Sequence, residues 1–247
     1  MKTVLINASP KKKMSVSSYF LSLQKVFTRG KVTKENLRNP GDHQRILEAL
    51  SDADAVVFGL PLYVDGIPSH VLRFLKRLEK YCHENSIKPK VFVISNGGFI
   101  EGNQNRVLMR IFEHFCERAG LEWGGGVGIG GGVMLNVMRI LFFVYAGICL
   151  LNILSGNDLA ASLLNLAQQW GFVLFFHIGV VYNLIRMGAA IGRGKQFGVK
   201  FTRAMMPSFL FIIVADIFFI LMSVFQGGLF RGWLSQKQAS ANNTQFG

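Results

Sequence analysis

Asp54-Ala-Val-Val-Phe-Gly-Leu-Pro-Leu-Tyr-Val-Asp-Gly-Ile-Pro68 decides the fold of this chain. Its first part, Ala55 to Phe58, is a short unbroken apolar run with Asp54 before it and Gly59 and Pro61 after it. A half-exposed strand would alternate polar and apolar residues; an unbroken run predicts a central parallel strand covered on both faces. Pro61 has no N–H for the ladder and ends the strand, and Pro68 stiffens the far side of the loop before a helix that starts near Ser69. The stretch therefore predicts a rigid shelf at the C-terminal edge of an open α/β sheet, the edge at which such sheets bind ligands.

Upstream, Thr3 to Asn7 predicts a first strand, followed by the polar loop Ala8-Ser-Pro-Lys-Lys-Lys-Met-Ser-Val-Ser-Ser18 and a helix to about Phe27. A strand, a hydroxyl-rich loop and a helix N-terminus together form an anion site, because unpaired N–H groups and the positive end of the helix dipole face one point. Lys11, Lys12 and Lys13 add charge, and a phosphate monoester is the expected ligand; plain N-capping by Ser15, Ser17 or Ser18 beside a solvated Lys run is the alternative. There is no Walker A pattern, so a nucleoside triphosphate is not indicated. Gly30 to Pro40 has room for a short edge strand, and Asp42 to Leu50 carries Ile46, Leu47 and Leu50 at helical spacing.

Downstream of Pro68, Val71, Leu72, Leu75, Leu78 and Tyr81 recur with helical period, with basic and acidic residues opposite, which predicts an amphipathic helix on the sheet. Lys90 to Ser95 is a second buried-strand run and leads into Asn96-Gly-Gly-Phe-Ile-Glu-Gly102. A helix from Asn103 to Arg118 and a strand from Leu121 to Val127 follow. This alternation predicts a doubly wound parallel sheet over residues 1–132. The run Trp123-Gly-Gly-Gly-Val-Gly-Ile-Gly-Gly-Gly132 contains a formal G-x-G-x-x-G, but an apolar segment follows it and no acidic residue lies nearby. It is expected to let a strand pass close to a ligand, or to form a flexible joint, and not to bind a dinucleotide.

Charge divides the chain. Up to Gly132 there are 19 Lys+Arg against 12 Asp+Glu; beyond it there are 8 against 2, in a sequence dense in Phe, Leu, Ile and Val. The net charge of +13 comes without an aromatic-interleaved basic stripe, so an anionic membrane surface and an anionic cofactor account for it better than nucleic acid. Met134 to Leu154, Trp170 to Ile185 and Phe209 to Leu229 each approach the roughly 20 residues of a bilayer-spanning helix, giving three expected spans in a membrane region over 133–230 and a polar tail over 231–247. Ser155 to Gln169 has no Lys or Arg, whereas Arg186 to Arg203 has five. The positive-inside rule then puts Arg186 to Arg203 and the first domain in the cytoplasm. His177 and Asp216 fall within expected spans at depths that permit contact, as a relay or as a helix-packing hydrogen bond.

Cys82, Cys116 and Cys149 lack metal-ligand spacing and are expected as buried or half-buried reduced thiols, with no metal site. His43, His70, His83 and His114 are scattered and expected to face solvent.

Ile6-Asn-Ala-Ser-Pro10, Gly59-Leu-Pro-Leu-Tyr-Val64 with Ile67-Pro68, and Asn96-Gly-Gly-Phe99 with Glu101 together resemble the flavodoxin-like NAD(P)H-dependent FMN reductases (NADPH:quinone reductase-like family) over about residues 1 to 130. The resemblance implies FMN, its phosphate in the loop of Ser9, Lys11, Ser15 and Ser17. The isoalloxazine would lie between Pro61, Leu62, Tyr63 and Val64 on one side and Asn96, Gly97, Gly98 and Phe99 on the other. Tyr63 and Phe99 are the candidate catalytic residues, placed to stack on the ring or the substrate, while Asn96 and the Gly97 and Gly98 amides would meet its polar edge. Ala8 and three lysines depart from the family's phosphate loop, which commonly has Gly before the Ser-Pro. The expected function is a membrane-anchored oxidoreductase taking electrons from NADH or NADPH to an acceptor such as a quinone, with the lipid bilayer as a further partner and a homodimer open to it. A flavodoxin-type electron carrier, and a non-enzymatic membrane protein with a ligand-free domain, are the alternatives.

Overall fold

The structure, a computed structural model, describes residues 1–11, 15–63 and 66–225. Lys12, Lys13, Val64, the end of the third expected span and the polar tail lie outside the described residues. The chain forms two compact units, Met1–Met205 and Met206–Gly247.

The first unit begins with five strands joined by four α-helices. β1 (Lys2–Asn7), α1 (Val16–Phe27), β2 (Lys31–Asn36), α2 (Asp42–Leu50), β3 (Ala55–Pro61), α3 (Ser69–Asn85), β4 (Lys90–Asn96), α4 (Arg106–Ala119, after a short 3-10 turn over Gly102–Asn105) and β5 (Trp123–Gly130) follow in order. All pairings are parallel. The strand order is β2-β1-β3-β4-β5, the flavodoxin-like order, with a sixth strand, β6 (Gly198–Arg203), beyond β5. Strand β3 is central and fully buried from Ala55 to Leu60, as its unbroken apolar run requires. Phe58 meets Phe74 of α3 and Phe112 of α4 at ring-centroid distances of 6.3 and 5.2 Å, filling the core on that face.

The sixth strand departs from the expected architecture. β6 (Gly198–Arg203) lies in the segment that its charge marked as a loop between two spans, yet it pairs with β5 from Gly125↔Gly198 to Gly130↔Arg203. As an edge strand it carries exposed Lys200 and Arg203, charges that discourage edge-to-edge pairing with another chain.

Between β5 and β6 the chain makes two long helices, α5 (Gly132–Leu154) and α6 (Leu159–Gly192), both long and apolar enough to cross a membrane. α6 absorbs the whole middle span expected at Trp170 to Ile185 and continues beyond it. Its second half carries the buried stripe Val173, Phe176, Val180, Leu184, Met187 and Ile191. That stripe packs against α1: a Cβ on Gly188 would lie 2.3 Å from the carbonyl oxygen of Phe27. Half of α6 is therefore the cover helix of the sheet, on the α1 side, while α2, α3 and α4 occupy the other side. Membrane-length apolar helices number two among the described residues, not three. The second unit holds the apolar helix α7 (Ser208–Phe225).

The glycines of β5 serve packing. A Cβ on Gly130 would sit 2.0 Å from the carbonyl oxygen of Ile100, so the bare strand lets the loop after β4 close over it. The expected flexible joint is instead a buried strand.

Candidate functional site

Because all six strands are parallel, the loops after β1, β3 and β4 emerge at one edge of the sheet. Ala8 N–H donates to Gly59 O at 2.8 Å, Leu62 N–H to Asn96 O at 2.9 Å and Gly97 N–H to Ile129 O at 2.9 Å. These bonds prolong the ladder past the formal strand ends and lock the three loops side by side.

Asn96 is where they are joined. Its Oδ1 accepts from the Ser17 hydroxyl at 2.9 Å, and both residues are buried. Its carbonyl receives Leu62, and a Cβ on Gly132 would come within 3.1 Å of its own Cβ. One residue thus meets the first turn of α1, the Pro61 loop and the root of α5.

The phosphate-loop expectation is refined by the same contacts. Ser15 is the N-cap of α1, its hydroxyl accepting from Ser18 N–H at 3.1 Å, and Ser17 is turned to Asn96. Buried Ser9 accepts from Lys11 N–H at 3.4 Å, and Lys11 is exposed at the mouth. The hydroxyls therefore shape the helix N-terminus, the positive end of a helix, which favours an anion.

On the other side, Tyr63 is half-exposed and its loop closes tightly, with Gly66 N–H donating to Tyr63 O at 2.9 Å. Phe99 is 70% exposed, a large apolar surface to leave in water next to a sheet edge. Pro61 ends β3 beside Asn96, with Leu62 packed onto the Asn96 loop: a Cβ on Gly97 would be 3.8 Å from Leu62 Cδ2. The Gly97 amide, expected at a ligand's edge, instead belongs to the ladder. Gly98 is exposed, and open space lies where its Cβ would be.

Several supporting residues carried no signal in the sequence. Asn105, fully buried, accepts from the Ser95 hydroxyl at 2.6 Å and donates to Gly102 O at 3.0 Å, which pins the loop after β4 from beneath. His70, expected in solvent, is half-buried and bonds through Nε2 to Ala8 O at 3.1 Å, bracing the phosphate-side loop from α3. His43, also expected in solvent, is buried edge-on against Phe74. Burial holds both imidazoles below the ordinary histidine pKa, aided at His43 by Arg77 and at His70 by Arg73. His177 packs at the α1–α6 contact, its Nδ1 donating to Val173 O at 2.9 Å and its ring meeting Tyr19 edge-on at 6.0 Å. It belongs to the folded first unit, whereas Asp216 lies on α7 in the second. All three cysteines are free and buried.

No family model matches the chain, and no curated protein matches it. Solved structures do. The Trp repressor binding protein from Bacillus subtilis is 19% identical at a TM-score of 0.44, over 52% of this chain and 84% of that one. A NADPH-quinone reductase from P. pentosaceus is 17% identical at 0.46, over 53% and 86%. An NAD(P)H:quinone oxidoreductase from Methanothermobacter marburgensis is 18% identical at 0.40, over 56% and 92%.

Proposed function

We propose that the chain is a membrane-anchored FMN-dependent oxidoreductase that takes electrons from NADH or NADPH and passes them to an acceptor such as a quinone. The observation that carries the proposal is the convergence at one sheet edge of a serine-shaped helix N-terminus and two exposed aromatic rings, tied together by Ser17 and Asn96. The parts suit FMN. The first N–H groups of α1 with Ser9 and Lys11 meet the phosphate, and the open space over Gly98 accepts a planar ring.

Bound FMN supplies the hydride and electron-transfer chemistry. The chain's own residues bind and orient. Tyr63 and Phe99 offer flat apolar faces for a ring or a nicotinamide. Asn96, its Oδ1 held by Ser17, presents its Nδ2 as a donor to the ring's polar edge. Pro61 and the ladder bonds of Ala8, Leu62 and Gly97 keep the shelf from shifting as ligands exchange.

α5 and the first half of α6, with the apolar α7 after them, are the anchor. Arg186 to Arg203 is part of one folded unit with the N-terminal domain, which supports their lying on the same side of the membrane.

The test is the absorbance spectrum of the detergent-purified protein and the identity of the extracted cofactor, followed by anaerobic NADH or NADPH. A yellow protein that bleaches supports the oxidoreductase. A flavin that never bleaches leaves only an electron carrier, and a colourless protein that FMN does not reconstitute removes both.

A further inference from the structure

The strands fix the direction in which the apolar hairpin points. α5 is rooted in the site: Gly131, at φ 69°, turns the chain at the end of β5 and donates its N–H to Phe99 O at 2.6 Å, and Gly132 N–H donates to Gly97 O at 3.0 Å. α6 returns beside the sheet. Phe176 O accepts from Met205 N–H at 3.2 Å, just past the C-terminal end of β6, and Gly179 lies against Thr202 near that end. Gly188 then meets Phe27, the last residue of α1. α6 therefore descends from the C-terminal edge to the N-terminal edge between about Phe176 and Gly192. Everything between Arg139 and Phe172 stands above the edge that carries Tyr63 and Phe99.

That standing part is apolar outside and paired inside. Trp170 stacks on Phe142 at 4.2 Å and donates Nε1–H to its carbonyl at 2.9 Å, and Cys149 donates Sγ–H to Ser162 O at 3.5 Å. Phe143, Ile148 and Leu151 on α5 and Leu159, Leu164 and Phe172 on α6 are exposed. From Gly132 to Leu154 the one charged residue is Arg139, at the base of the hairpin with its guanidinium 4.8 Å over the Tyr19 ring. Exposed Lys11 and Arg106 lie at the same sheet edge with exposed Glu101, so with Arg139 the apolar projection rises from a rim of net positive charge. Apolar outward faces on both helices above a rim of net positive charge match lipid tails beneath anionic headgroups.

Resting on the membrane-anchored reading above, we infer that the C-terminal edge of the sheet faces the bilayer, with the Tyr63 and Phe99 mouth at headgroup depth. A lipid-dissolved, apolar redox partner then reaches the site from within the membrane. The N-terminal edge, where Lys88 leads into β4, faces water. The hairpin is both the anchor and a wall of the site, because its first residues hold the Gly97 to Phe99 loop.

The test uses the full chain in phosphatidylcholine–phosphatidylglycerol vesicles. Asn103→Cys at the C-terminal edge and Lys88→Cys at the N-terminal edge each place one exposed thiol among buried native ones, about 20 Å apart along the strands. Each is labelled with bimane and exposed to headgroup spin-labelled lipid. At least twofold stronger quenching at position 103 than at 88 is expected. Equal quenching, or stronger quenching at 88, overturns the orientation while leaving the anchor and the flavin site standing. Failure of the chain to float with vesicles, or a lipid-indifferent dimer closed through the hairpins, overturns the anchor and the orientation with it. The readout needs no flavin, so a colourless protein would refute the oxidoreductase without touching this result.

Discussion

The Ser17 hydroxyl donates to Asn96 Oδ1 at 2.9 Å across 79 residues of sequence, in a buried setting, and this bond aligns the helix N-terminus of one loop with the ring-binding side of another. A buried acceptor that loses its donor keeps its desolvation cost, which is about 1–3 kcal/mol. Ser17→Ala should therefore lower stability by that amount and weaken FMN binding as well, whereas Ser17→Thr, which retains the hydroxyl, should recover much of both. Thermal unfolding and flavin fluorescence titration read the two effects. Ser17→Ala with unchanged flavin affinity would show that the bond is structural only.

Tyr63 and Phe99 make the opposite prediction. Exposed rings contribute little to folding, so Tyr63→Ala and Phe99→Ala should leave the unfolding midpoint within a few degrees of wild type. Stacking on a ligand is worth about 0.5–1.5 kcal/mol, so each change should weaken flavin or nicotinamide binding up to about tenfold. Binding titrations with FMN and with NADPH tell the two ligands apart, and a residue whose loss alters neither is not part of the site.

Burial depresses the folded-state pKa of His43 and of His70. The unfolded chain then binds more protons than the folded one in the window from the ordinary value of about 6.5 down to the depressed values. The stability that these neutral imidazoles contribute is fully present above pH 6.5 and is lost as pH falls through that window. Unfolding midpoints should drop from pH 7 to pH 5, and His43→Phe, which fills the same space against Phe74, should flatten the drop. A midpoint as pH-dependent in the variant as in wild type would assign the effect to other groups.

Much of this was legible in the sequence because one chemical fact decided each element. Unbroken apolar runs required strands β3 and β4 to be covered on both faces, Pro61 required β3 to stop, and the spacing of Val71, Leu75 and Leu78 required α3. The Ser17–Asn96 bond was not legible, because a hydroxyl and an amide so far apart in sequence have countless alternative partners. Strand β6 was hidden by its own role: an edge strand with Lys200 and Arg203 facing out reads as a basic loop. The second half of α6 misled for a related reason. Val173, Phe176, Val180 and Leu184 are as apolar as a lipid-facing stretch, and composition alone does not separate burial under a sheet from burial in a bilayer.

Burial also silences the cysteines of the cover helices. It raises the Cys82 thiol to about 11 and the Cys116 thiol to about 12, with Glu113 reinforcing the shift at Cys116. Since the thiolate is the reactive form, neither should react with a maleimide in the native protein at pH 8, and both should do so in denaturant. Mass spectrometry after brief labelling distinguishes the two states, and native labelling at either position would contradict the packing of α3 against α4.

Two glycines of α6 separate its halves. A Cβ at Gly188 would lie 2.3 Å from Phe27 O and 2.8 Å from its carbonyl carbon, backbone that cannot step aside without moving α1. Gly188→Ala should therefore destabilise the first unit by about 1–3 kcal/mol, as overpacking does. Gly171, on the hairpin half, has nothing within 4 Å of its Cβ position, so Gly171→Ala meets no obstacle and removes the backbone freedom of glycine within a helix. That change should stabilise the helix by up to about 1 kcal/mol. If thermal unfolding in detergent instead shows the two substitutions to be equivalent, α6 is not divided between sheet cover and projecting hairpin. The opposite signs expected here follow only if the lower half is packed in the α/β unit and the upper half stands free of it.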